Sequence, residues 1–185
     1  MTVDPPIPSA MPIKGLAFPV TLRDREGGMF TVRQLREGDR ELLDAFYDAF
    51  QPKRAAQGLP PEGPQRVERW LTGVLAGGDH LIVEVDGRLV GHAMLMPTGK
   101  HGVREYAIFL DQSVRGRGMG TQVNRVSAEL ARTLELDRLW LSVEPHNRAA
   151  VRSYQKAGYR FRPSTLYSPE FEMELDLSPG AEAAA

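Results

Sequence analysis

The 185-residue chain has no cysteine, which excludes disulfides, thiolate metal sites, iron–sulfur clusters and a cysteine nucleophile. It has no excess of either charge: 23 Lys+Arg stand against 24 Asp+Glu, a formal net of -1. A module that grips nucleic acid through bulk positive charge is therefore not expected. No apolar run approaches the roughly 20 residues that span a bilayer, so no membrane association is expected. The opening MTVDPPIPSAMPIKG lacks a basic stretch followed by an apolar one, and a secretory leader is not expected either. With 42% hydrophobic and 25% charged residues, the composition is that of a globular domain. The expectation is a cytoplasmic protein.

What is present reads as one mixed α/β domain over residues 20–178, with a Pro-rich arm at 1–19 and a flexible tail at 179–185. Five prolines fall before residue 20, and proline both lacks a backbone donor and keeps its predecessor out of the helical region. Period-2 segments at 20–23 and 30–33 flank Arg25-Glu26-Gly27-Gly28, a hairpin pattern. Asp39 opens a helix with Leu42, Leu43, Phe46, Tyr47 and Phe50 at helical spacing, and a second helix is expected over 64–76. Strands at 80–84 and 89–96 meet at Asp86-Gly87, another hairpin signal. A strand at 104–110, a helix after residue 120, a strand at 139–143, a helix from Asn147 stopped at Gly158, and a strand at 171–175 complete the order. Hairpins followed by strands alternating with helices argue for functional loops between strands and helices.

The sharpest feature is Val114-Arg115-Gly116-Arg117-Gly118-Met119-Gly120-Thr121, between a strand and a helix. Closely spaced glycines let the backbone turn tightly and present several N–H groups, and the helix behind adds free amides and the positive end of its dipole. The pattern is an anion-binding turn, and Arg115 and Arg117 carry charge suited to phosphate. A turn that merely closes a strand onto a helix is the plain alternative. A P-loop would end in Gly-Lys-Ser/Thr, whereas Met119-Gly120-Thr121 has no lysine. The dinucleotide fingerprint needs G-x-G-x-x-G, and here the spacing is G-x-G-x-G after hairpins.

Arg115-x-x-Gly118-x-Gly120 resembles the Q/R-x-x-G-x-G/A motif of the GNAT superfamily of N-acetyltransferases. Leu141-x-Val143, then Asn147-x-x-Ala150-x-x-x-Tyr154-x-x-x-Gly158-Tyr159, resembles that family's second block, and Val32-Arg33-x-Leu35-x-x-x-Asp39 its opening. The resemblance covers roughly residues 29–176. It implies a central, mostly antiparallel twisted sheet of six or seven strands flanked by about four helices. It implies acetyl-CoA as cosubstrate, held by Ile108, Phe109, Leu110, Arg115, Gly116, Arg117, Gly118, Met119, Gly120, Thr121, Asn147, Ala150 and Tyr154. It also implies direct attack of a primary amine on the thioester, with Tyr154 protonating the departing thiolate and Asn147 meeting the pantetheine arm. The family's oxyanion donor is a backbone amide on the strand at 104–110, with Leu110 expected and Ile108 next.

The amine must be neutral to attack, so a base or a water relay should take its proton. The resemblance makes Glu105 the leading candidate, since some family members carry a glutamate base on this strand, with Glu144, His146 and water as alternatives. Each site residue has a plainer reading as well: a helix cap for Asn147, a core aromatic for Tyr154, a solvated strand glutamate for Glu105. His92, in an apolar strand, reads as a core histidine, and His80 and His101, near turns, as solvated. No spacing suggests a metal site. The acceptor, a small-molecule or protein amine, is left open, since residues 46–66 carry both signs of charge. Homodimers are common in the family. The rival function is an acetyl-CoA-binding module without turnover, against which the presence of both Asn147 and Tyr154 counts.

Overall fold

The computed structural model describes residues 16–54, 56–163 and 169–178. Most of the Pro-rich arm and the tail at 179–185 lie outside the described residues. Of the arm, Leu16 and Phe18 pack against the core.

The chain order is β1 (Val20–Arg23), β2 (Met29–Gln34), α1 (Asp39–Ala49), α2 (Pro64–Leu75), β3 (Asp79–Val85), β4 (Arg88–Pro97) and β5 (Val103–Leu110). A short 3-10 turn (Gln112–Val114) follows, then α3 (Met119–Thr133), β6 (Arg138–Val143), α4 (Arg148–Lys156), β7 (Arg160–Phe161) and β8 (Phe171–Asp176). Among the described residues one sheet carries eight strands in the order β1-β2-β3-β4-β5-β6-β8-β7. The expected six or seven strands become eight because β7 has two residues, too short to leave a period in the sequence.

Local chemistry accounts for most elements. Asp86 and Gly87 both take positive φ, the conformation that closes a two-residue hairpin along the twist of its strands. Pro64 starts α2 at a position where a missing N–H is harmless. Asn147 caps α4, its side chain accepting from the Ala150 amide at 3.2 Å. The start of α1 is fixed over distance: Arg33 of β2 makes two bonds to the Asp39 carboxylate (2.7 and 2.9 Å) and reaches Glu84 of β3 at 2.7 Å.

Alternation of the strands divides the interior into two layers. On one face α3 and α4 cover Val32, Leu81, Val83, Leu95, Tyr106, Leu139 and Leu141. On the other, α1 and α2 bring Leu43, Phe46, Tyr47, Phe50, Val67 and Leu71 against Ile82, Met94 and Phe109.

That second layer holds a buried polar chain. The Tyr47 hydroxyl is 2.7 Å from His92 Nδ1, His92 Nε2 is 3.0 Å from His80 Nδ1, and His80 Nε2 is 2.9 Å from the Gly77 carbonyl. A carbonyl can only accept, so His80 carries its proton on Nε2 and accepts at Nδ1. His92 must then donate from Nε2 and accept the Tyr47 hydroxyl proton at Nδ1. His92 is the core histidine expected. His80, expected in solvent, is buried, because its place on β3 sets it against His92 of β4 rather than in the preceding turn.

All neighbouring strands pair antiparallel except β5 and β6, which run parallel. That parallel ladder is short: Val103–Glu105 meets Arg138–Trp140 and pairing stops. β5 continues along β4 to Leu110, while β6 continues along β8 to Val143. The sheet therefore opens as a wedge between the C-terminal halves of β5 and β6.

Candidate active site

The wedge leads into a cleft of about 870 Å³ walled by the end of β5, the turn and first residues of α3, the end of β6, α4 and the loop after α1. Its sheet wall has a defined polarity. The Asp111 amide donates to Val90 O at 2.8 Å, which fixes which residues of β5 bond to β4. Because antiparallel bonding alternates, Phe109 and Ala107 turn their backbone polar groups to β4, whereas Leu110 and Ile108 turn theirs into the wedge. The Leu110 carbonyl there accepts from Arg115 Nε at 3.0 Å. The two amides expected as oxyanion donors thus both face the open side.

At the mouth, Gly116 and Gly118 have φ of 79° and 81°, which glycine adopts without the clash a side chain would bring. Gly118 is the N-cap of α3 and no side chain caps that end, so the amides of the first turn are left for a ligand. Gly120 serves packing: a Cβ there would stand 3.2 Å from Ser153 Oγ of α4.

Tyr154 lies on the cleft wall and is buried. Its ring meets Tyr106 and Tyr159 at centroid distances of 6.3 and 5.6 Å. Among the described residues its hydroxyl forms no hydrogen bond, and burial pushes its pKa well up, so it stays protonated in neutral solution. Behind it, Asn124, fully buried, accepts from the Tyr106 hydroxyl at 2.9 Å and donates to Ser153 Oγ at 3.1 Å. Ser153 Oγ also lies 3.3 Å from Thr121 Oγ1. This network ties β5, α3 and α4 together beside Tyr154; nothing in the motif spacing singled out Asn124.

Of the expected binding residues, Ile108, Phe109, Leu110, Arg115, Gly116, Gly118, Met119, Gly120, Thr121, Asn147, Ala150 and Tyr154 all line the cleft. The two arginine side chains of the turn are engaged with the protein itself. Arg117 lies outside the lining, ion-paired with the Asp24 carboxylate and 3.5 Å from Glu26. Arg115 lines the cleft, but its guanidinium is engaged with Leu110 O and Gln51 O (3.0 and 2.9 Å) and sits over the Phe50 ring, bracing the wall. The cations on the lining whose side chains have no hydrogen bond or ion pair among the described residues are Arg25, Arg54, Arg152 and Lys156, none of which belongs to the motif.

Glu105 also stands outside the lining. It sits where β5 still pairs with both Met96 and Trp140, on the face of Phe109 but about 13 Å before it along the strand. Half-burial raises its pKa. Glu144 is the one carboxylate among the described lining residues, and His146 Nε2 lies 3.0 Å from it. His101 is exposed, as expected. Among the described residues no group of three or more His, Asp or Glu is placed to hold a metal.

The sheet parts beside an uncapped helix N-terminus, in a cleft whose lining includes several cations, an arrangement that suits an elongated anionic ligand. The model of the acetyltransferase (GNAT) family matches residues 40–159, and the chain belongs to that family. It is 35% identical over 99 residues to the mycothiol acetyltransferase of Nocardia farcinica, covering 53% of this chain and 32% of that protein. With the mycothiol acetyltransferase of Thermomonospora curvata the identity is 27% over 165 residues, covering 89% and 51%. The chain thus spans about half or less of the length of these relatives. Among solved structures, the GNAT domain of S. lividans PAT superposes with a TM-score of 0.72 at 20% identity, covering 86% of this chain and 97% of that one. The spermidine N-acetyltransferase of Vibrio cholerae, solved with CoA and spermine, gives 0.65 at 18% identity, covering 80% and 95%. At such identities the likeness concerns the fold.

Proposed function

We propose that this chain transfers an acetyl group from acetyl-CoA to a primary amine by direct attack. The observation that carries the reading is the wedge: the amides of Ile108 and Leu110 face an opening that is continuous with the uncapped glycine turn and with Tyr154. The residues fit the donor. Gly116 and Gly118 keep the turn bare of side chains, the α3 amides and the unpaired cations match a pyrophosphate, and the opened strand edge matches an extended amide-bearing arm. The donor supplies the activated acyl group.

The Leu110 amide, with Ile108 next, donates to the acyl oxygen as negative charge develops on it. Asn147 serves both as cap and as a contact for the arm, since capping engages only its oxygen. Tyr154 delivers the proton to the departing sulfur, and its O–H, with no partner among the described residues, is free for that task. We assign removal of the amine proton to Glu144, on the cleft wall beside His146, and give Glu105 no direct part. Thiol release followed across a panel of amines (a polyamine, peptide N-termini, lysine and amino sugars) tests the reading. Release that depends on one amine class, is lost in Glu144→Gln and persists in Glu105→Gln is the expected result. Acetyl-CoA that binds but gives no release with any amine would leave a donor-binding module without turnover.

A further inference from the structure

Resting on the acyl-donor reading above, we infer that Arg25, at the tip of the β1–β2 hairpin, binds the pyrophosphate of the donor, and that the Asp24–Arg117 pair exists to hold it there. Arg25 lies directly on the glycine turn: a Cβ built at Gly118 would stand 2.8 Å from its Nε, 2.9 Å from Cγ and 3.1 Å from Cδ. It lines the cleft, and among the described residues its guanidinium has no hydrogen bond or ion pair. A bare guanidinium beside uncapped helix amides offers a planar fork to the anion those amides attract.

The hairpin tip is fastened to that turn by several bonds. The Arg25 amide donates to Arg117 O at 2.9 Å, and Gln122 Nε2 donates to Arg23 O at 2.8 Å. Asp24, whose side chain is fully buried, takes the Arg117 guanidinium on Oδ2. On Oδ1 it accepts the amides of Glu26 and Gly28, each at 2.9 Å. Arg117, inside the glycine turn, is therefore turned away from the cleft as a clasp on Asp24, and the clasp delivers Arg25, the next residue in the hairpin, to the turn. The exchange keeps one cation at the turn while anchoring the tip of the hairpin that edges the sheet.

Calorimetric titration with three probes tests this: CoA, dephospho-CoA, which keeps the pyrophosphate, and pantetheine, which has no phosphate. Losing one charge-assisted contact corresponds to about a tenfold change in affinity. Arg25→Ala should weaken CoA and dephospho-CoA alike by about that factor and leave pantetheine unchanged, with the melting temperature maintained. Arg117→Ala should also weaken CoA, yet add nothing when combined with Arg25→Ala, since it acts through Arg25; if it fails to fold, Asp24→Asn takes its place in the cycle. CoA bound equally by wild type and Arg25→Ala would overturn the inference. So would a loss confined to CoA, which would place Arg25 at the 3′-phosphate, a loss shared by pantetheine, or additive effects in the double variant. A wild-type chain that binds no CoA would instead overturn the acyl-donor reading itself.

Discussion

Removing a single oxygen, Tyr154→Phe, separates a proton donor from a core aromatic. The ring keeps its contacts with Tyr106 and Tyr159 in the variant, and the deleted hydroxyl has no protein partner among the described residues. No buried group is orphaned, so the stability change should stay within about 1 kcal/mol, a melting shift of roughly 2–4 °C for a chain of this size. The catalytic effect should be of another order. General acid catalysis contributes about 10²–10⁴-fold, equivalent to about 3–5 kcal/mol of barrier. That loss should fall on kcat, with acetyl-CoA affinity held within a few-fold. Thiol release, acetyl-CoA titration and thermal melting on one preparation give all three quantities. A variant with full kcat would refute the assignment, and so would an activity loss that merely tracks a large drop in melting temperature.

Gly118→Val places a β-branched side chain at a φ of 81°, at a backbone cost of about 1–2 kcal/mol, and pushes aside the flexible Arg25 side chain that packs there, a combination a domain survives. It should fold yet lose CoA binding, and normal binding by calorimetry would contradict the site. Tyr47→Phe leaves buried His92 Nδ1 without its donor and should lower stability by about 1–3 kcal/mol in denaturant unfolding, whereas no change would contradict the buried chain. Burial lowers the pKa of His80 and His92 below the ordinary 6.5, so the unfolded chain binds more protons there. Melting temperature should therefore fall as pH drops below about 6.5. Asp39 is pushed up by burial but pulled down further by Arg33 and the Arg36 amide. Its stabilisation is complete above the ordinary 3.8 and is lost as pH falls through the lower folded value, a limb that Asp39→Asn should flatten in acid titration.

The legible parts of this fold are those that residues a few positions apart decide. The hairpin at Asp86-Gly87, the Asn147 cap and the conformation of the 116–120 turn follow from local backbone preferences, and the two amphipathic helices from their spacing. The wedge was not legible, because it depends on where pairing between β5 and β6 stops, a contest among β4, β8 and two helix layers. Where the two arginine side chains go was not legible for a similar reason. Arg117 is claimed by Asp24 and Arg115 by Gln51, partners 93 and 64 residues away, so charge beside a glycine turn did not reveal where the guanidinium would go. The turn beside His80 suggests solvent, while the strand register pairs it with Met94 and brings His92 diagonally beside it on the buried face. Glu105 follows the alternation expected of it, but alternation gives a face and not a depth along the strand.

Titration of acetyl-CoA into the wild-type chain, with CoA, ATP and NAD as competitors, tests the central claim most directly. Saturable one-to-one binding with a Kd below about 1 mM, displaced by CoA and not by ATP or NAD, is the predicted result. No saturation at millimolar acetyl-CoA, or displacement by ATP or NAD as effective as by CoA, would contradict it.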